Sequence, residues 1–104
     1  MSHVVELTDF SQQESFIATN PRALIFFGSN SCGHCRNMIP VIERMTSIYP
    51  TVAFAHVEVT NVKVNNVGGV PVFVIYLSTV PVDVILGASP EDLSSAIEKN
   101  LLPY

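Results

Sequence analysis

Between Ala23 and Phe27 the chain runs through five consecutive apolar residues with polar or turn-forming neighbours on either side. A run of strand length without alternation predicts a central β-strand covered on both faces. The pattern changes at Cys32. From there to Tyr49 the apolar positions Met38, Ile42, Met45 and Tyr49 fall on one stripe of a helix. Pro40 lies inside this stretch, where its missing N–H and its ring are expected to kink the helix. Gly28 to Ser31 reads as the turn between strand and helix.

The flanking segments are shorter and more conventional. Val4 to Leu7 reads as a strand, and Ser11-Gln12-Gln13-Glu14 as a capping box opening a helix to about Thr19, which Asn20-Pro21 ends. Val52 to Val59 is a further strand. Thr60 to Gly69 is rich in Val and Asn, poor helix formers, and is expected to be a loop or at most one helical turn. Val72 to Leu77 and Val82 to Leu86 read as strands joined by Ser78-Thr79-Val80-Pro81, a connection short enough for an antiparallel hairpin. Ser89-Pro90-Glu91-Asp92 places a cap, a proline at the first helical position and acidic residues in the first turn, opening a last helix to about Leu102. The expected order is β-α-β-α-β-β-β-α in one domain over residues 1–104, with no repeat, linker or low-complexity stretch.

Composition narrows the function. Apolar residues make up 48% of the chain and charged ones 13%, against about 25% charged in ordinary soluble domains, which excludes a charge-solvated disordered chain. The net charge is −4, with no basic run to follow a phosphate backbone, so nucleic acid is not expected as a partner. The longest stretch free of strongly polar residues, Val67 to Leu77, carries two glycines and a proline and falls far short of the ~20 residues that span a bilayer. The opening residues lack the order of a secretory signal. A cytoplasmic monomer that neither enters a membrane nor needs a bound cofactor is the expectation.

Only two cysteines are present, Cys32 and Cys35, which is too few for a disulfide scaffold or a four-thiolate zinc site. Cys32-Gly33-His34-Cys35 falls where a buried strand turns into a helix. Residues three apart at a helix start share a face, so the two sulfurs can meet in a disulfide. Cys32, at the helix N-terminus, gains from unpaired N–H groups and the macrodipole, so its thiol is expected to ionise below the free value of about 8.5. It is the expected nucleophile. Cys35, one turn further in, is the expected resolving residue, which attacks the mixed disulfide and releases product. Inert buried cysteines, or a metal site completed by His34 or His56, are the alternatives; the three histidines otherwise show no metal-binding pattern, and His3 reads as solvated.

With this motif, the in-helix Pro40 and the later Gly69-Val70-Pro71, the chain resembles the thioredoxin superfamily from Val4 to Leu102. The resemblance implies a thioredoxin fold, an α/β architecture with a central mixed sheet and helices on both faces. It implies a cis proline at Pro71, with Val70 offering backbone hydrogen bonds to an extended substrate, so that both are substrate-binding residues. Val80-Pro81 competes for this role but leaves too few elements after it, so Pro81 reads as a turn proline. Cys-Gly-His-Cys is similar to the motif of protein disulfide isomerase domains. Gly33 and His34 are accordingly the redox-tuning residues, with His34 favouring the Cys32 thiolate.

The chain also departs from the family pattern. Phe26 stands where the family usually carries a buried carboxylate, Ser31 where an aromatic residue precedes the first cysteine, and Gly28 where a tryptophan is common. His56 matches a family lysine and has Glu58 on the same strand face, which makes it the candidate for proton transfer in place of the carboxylate. The reading is a protein thiol-disulfide oxidoreductase working as a disulfide reductase on protein disulfides, recharged by an external reductase or glutathione. A thioredoxin-fold binding module or redox-gated subunit, whose docking surface is the function, is the alternative.

Overall fold

The computed structural model describes residues 3–29, 32–59 and 71–102. Its elements are β1 (Val4–Leu7), α1 (Phe10–Thr19), β2 (Arg22–Gly28), α2 (Gly33–Ile48), β3 (Ala53–Glu58), β4 (Val72–Leu77), β5 (Val80–Leu86) and α3 (Pro90–Leu101). They occur in the order expected from the sequence. The expected loop from Thr60 to Gly69, together with Val70, lies outside the described residues.

The five strands are ordered β1-β3-β2-β4-β5. The first three run parallel, while β4 pairs antiparallel with both β2 and β5. The uninterrupted apolar run of β2 is explained by its position. Leu24 and Phe26 point to the face packed by Met38, Ile42 and Met45 of α2 and by Leu93, Ile97 and Leu101 of α3. Ala23 and Ile25 point to the opposite face, with Phe16 of α1, Leu7 and Ala55. A strand buried on both sides needs apolar residues at every position. The helices therefore cover both faces of the sheet. Tyr49, just past α2, donates its hydroxyl to Glu98 Oε2 of α3 at 2.7 Å. Burial first, and this hydrogen bond second, hold its phenol above the ordinary value of 10.0.

Several boundaries differ from the sequence expectation for identifiable reasons. The cap of α1 is Asp9, not Ser11: Asp9 Oδ1 accepts the Gln12 N–H at 2.7 Å, and Gln12 Oε1 accepts the Thr8 N–H at 2.7 Å. The reciprocal logic of a capping box is kept, shifted two residues upstream. Gly28 ends β2, paired with Glu58, so it is not part of the turn. Cys32 is the N-cap of α2, one position before its first helical residue. Strand β5 begins at Val80 and not at Val82, because the chain reverses over Ser78 and Thr79 alone, both at positive φ (50° and 74°). Two left-handed residues match the twist of the strands they join.

Pro81 is consequently a strand residue, opposite Tyr76 and next to a register shift, not a turn proline. This is allowed because β5 is the sheet's edge, where a missing N–H breaks no ladder. Val80, Val82, Val84 and Leu86 of this strand are exposed. Asp83 is tied down by the Val84 N–H on Oδ1 at 2.9 Å and by Asn100 Nδ2 on Oδ2 at 3.0 Å. Among the described residues, no helix is long and apolar enough to cross a membrane.

Candidate active site

Strand β2 delivers the chain to the carboxyl end of the parallel strands, the usual place for a site in sheets of this kind. Cys32 is seated by its N–H bonding Ser29 O at 3.1 Å, and its carbonyl accepts the Arg36 N–H at 3.1 Å to start α2. Its Sγ accepts the Cys35 N–H at 3.1 Å. A sulfur thus fills the capping role usually taken by a serine or aspartate oxygen. Cys32 and Cys35 form a disulfide with their Cα atoms 5.2 Å apart. Both are buried, Cys35 more than Cys32 at 3% against 6% exposed. The pair anticipated from sequence is brought together, on the side of the helix facing the core.

Gly33 and His34 occupy the first two helical positions and are exposed. A side chain at 33 would meet only Arg36 Nη2 at 3.8 Å, so space alone does not demand glycine there. His34 and the fully buried Pro71, with Gly87 and Ala88, line a groove of about 360 Å³ beside the cysteines. Gly87, at φ 100°, donates its N–H to Pro71 O at 2.9 Å. That left-handed conformation favours glycine and fixes the rim of the groove, a contact the sequence reading missed. The Val70–Pro71 peptide bond, expected to be cis, includes Val70 and lies outside the described residues.

Beneath the cysteines the sheet offers Phe26, 1% exposed, its ring stacked on Phe73 at 5.0 Å between centroids. A Cβ at position 28 would fall 2.6 Å from Phe26 Cζ and 3.2 Å from Cys35 Cβ. The Phe26 ring therefore lies across Gly28, directly below Cys35. Two departures that look independent in the sequence, Phe26 and Gly28, are one steric arrangement.

His56 stands beside this ring, with centroids 5.1 Å apart. Its side chain is 12% exposed and its Nδ1 meets Glu6 Oε1 at 2.8 Å and Oε2 at 3.0 Å. Nε2 lies 3.9 Å from Glu58 Oε1. Glu58 was anticipated from strand alternation. Glu6 was missed, although the parallel pairing of β1 with β3 puts it directly opposite His56. The two strands are distant in sequence, and only their register reveals the match. Among the described residues, no group of three or more His, Cys, Asp or Glu side chains could hold a metal ion.

A cysteine pair joined across the first turn of a helix, at the carboxyl end of a mixed sheet, defines a thiol-disulfide oxidoreductase. The thioredoxin family model matches residues 3–99, and the chain belongs to that family. Thioredoxin-3 of Dictyostelium discoideum is 28% identical over 105 residues, covering 97% of this chain and all of that protein. A solved thioredoxin of Plasmodium falciparum superposes with a TM-score of 0.80 at 26% identity, over 93% of this chain and 99% of that one. A chain solved to explain thiol resolution in yeast mitochondrial 1-Cys peroxiredoxin via glutathione/thioredoxin systems gives a TM-score of 0.83 at 26% identity, over 95% and 99%. The chain is accordingly an enzyme with a redox-active cysteine pair, and the family acts on protein disulfides.

Proposed function

We propose that this protein is a cytoplasmic protein disulfide reductase in which Cys32 attacks and Cys35 resolves. The observation that carries the assignment of roles is the Cys35 N–H donated to Cys32 Sγ at 3.1 Å. That N–H, together with the helix dipole, stabilises negative charge on Cys32 and on no other sulfur. The Cys32 thiolate attacks a substrate disulfide, one substrate sulfur leaves as a thiolate, and a mixed disulfide forms. Cys35 then loses its proton, bonds to Cys32 and expels the second substrate sulfur with its electron pair. The substrate gains two electrons and the enzyme ends as the Cys32–Cys35 disulfide.

Gly33 and His34 tune the stability of the thiolate, and Val70 with Pro71 supports an extended substrate in the groove beside His34. His56 receives the Cys35 proton, since Phe26 supplies no carboxylate. The 104-residue chain works as one domain and as a monomer. The oxidised pair is recharged by an external reductase, as a dithiol that does not dissociate from the chain requires, or by glutathione. The reducing direction and the cytoplasm are supported by cysteine usage: both thiols belong to the redox pair, and neither is spent on a structural bridge.

The test is catalytic reduction of a model protein disulfide under excess dithiol, with equilibration against a glutathione buffer for the direction. Cys32→Ser should fall to the uncatalysed rate, and Cys35→Ser should accumulate a mixed disulfide at Cys32. Accumulation at Cys35 in the Cys32→Ser protein, with turnover retained, would reverse the roles. A potential well above that of glutathione would make the protein an oxidant, and retention outside the cytosolic fraction would move its location.

A further inference from the structure

The resolving step must remove a proton from Cys35, which is buried in an apolar cluster, and three carboxylates from separate elements lie around His56 and the cavity beside it. Glu6 of β1 meets Nδ1, Glu58 on β3 faces Nε2, and Glu43 of α2 lines the same cavity. That cavity, about 140 Å³, lies between the sheet and α2, with Val4, Phe26, Ile39 and Ile42 as its apolar walls. Ile39 is one helical turn from Cys35, and Phe26 reaches the space under Cys35 through Gly28. The cavity has room for a few water molecules, and Glu6, Glu43 and His56 on its lining provide the polar partners that water needs.

We infer that Glu6 is a positioning residue for the resolving step, an inference that rests on the proton-handling reading of His56. Both Glu6 oxygens lie within hydrogen-bond distance of Nδ1. An ionised carboxylate accepts only, so Nδ1 must carry the hydrogen, and the lone pair is left on Nε2. Nε2 is then the nitrogen with a lone pair free to take the Cys35 proton. The imidazolium so formed has Glu6 on one nitrogen and Glu58 at 3.9 Å from the other, which stabilises the charge until it is returned to the departing substrate thiolate. Proton and electrons balance: Cys35 S–H gives its proton to Nε2, the sulfur pair closes, and the substrate sulfur leaves with the electrons and recovers the proton. Glu6 contacts no reacting atom. It fixes which nitrogen is basic.

The experiment follows resolution alone. Wild type, Glu6→Gln, Glu6→Asp, His56→Gln and the Glu6→Gln/His56→Gln double variant are charged at Cys32 with a chromogenic thiol, and its release is timed from pH 5 to 9. Each rate is divided by the rate of capture at Cys32 in the same variant. For Glu6→Gln we expect that ratio to fall about tenfold, a modest share of the ~10²–10⁴ typical of general acid–base groups, with the pH midpoint displaced and partial rescue in Glu6→Asp. The double variant should be no slower than His56→Gln. If His56→Gln slows release but Glu6→Gln leaves both ratio and midpoint unchanged, the role of Glu6 is overturned and that of His56 stands. If neither variant changes the ratio, the His56 reading falls and takes this inference with it. A loss in Glu6→Gln that persists undiminished in the His56→Gln background would mean Glu6 acts on the fold instead.

Discussion

Under α2 the sheet presents two unlike floors side by side. On β2 and β4, Phe26 and Phe73 stack with their ring centroids 5.0 Å apart. One strand over, on β3 and β1, the same row becomes His56 and Glu6, with Glu58 two residues further along. The division has a physical logic. An apolar floor under the sulfurs disfavours charge there. In the resolving step inferred above, the Cys35 proton leaves toward the polar side. The same row is thus apolar in one column and polar in the next.

The largest effect should come from making the first floor resemble the second. Phe26→Asp removes a fully buried ring and strands a carboxylate, at a cost of about 3–5 kcal/mol for the lost packing alone. Burial raises the ionisation of that carboxyl above its usual value near 3.9. A raised folded-state value means the variant is relatively more stable in acid and loses stability as pH rises through it. Urea unfolding at pH 4 and pH 8 checks this, and equal midpoints at both would show that water reaches the site. Next comes Gly28→Ala, whose new methyl meets the Phe26 ring. It should cost about 1–3 kcal/mol as overpacking, and less when combined with Phe26→Leu, a coupling read from a double-mutant cycle.

On the polar side the changes in stability should be small. Glu6 is 65% exposed, so Glu6→Gln should shift the unfolding free energy by no more than about 1 kcal/mol. A larger shift would make the pair a structural tie. The smallest effect belongs to Tyr49, far from either floor. Its phenol is held neutral above 10.0 in the folded chain, so its contribution is intact below the unfolded value and is lost as pH rises through the folded one. Melting above pH 10 should therefore decline more gently in Tyr49→Phe than in wild type. Tyr76, raised by burial alone, supplies part of the slope that remains.

The sequence made the two-sided burial of β2 and the helical stripe of α2 readable because each is a local periodicity. The cysteine pair was readable because its spacing and its place before a helix carry the chemistry together. Glu6 was not, since nothing near Glu6 points to a residue on β3; the match exists only once the register of a parallel pair is known. The link between Phe26 and Gly28 was hidden for a different reason. Each was legible as a departure, but their dependence lies in the tilt of one ring. Pro81 misled because proline is the commonest turn signal, and an edge strand is one of the few places where a sheet tolerates it.

The edge formed by β5 has a consequence for how the protein behaves at high concentration. Its exposed Val80, Val82, Val84 and Leu86 are the kind of surface on which neighbouring molecules add strand to strand and grow into fibrils. Backbone recognition of that sort needs a regular series of donors. Here Pro81 contributes none, and the Val84 N–H is already engaged by Asp83. Crowded molecules can still touch through greasy side chains, but they meet an edge with too few hooks to template one another, and their clusters should dissolve on dilution.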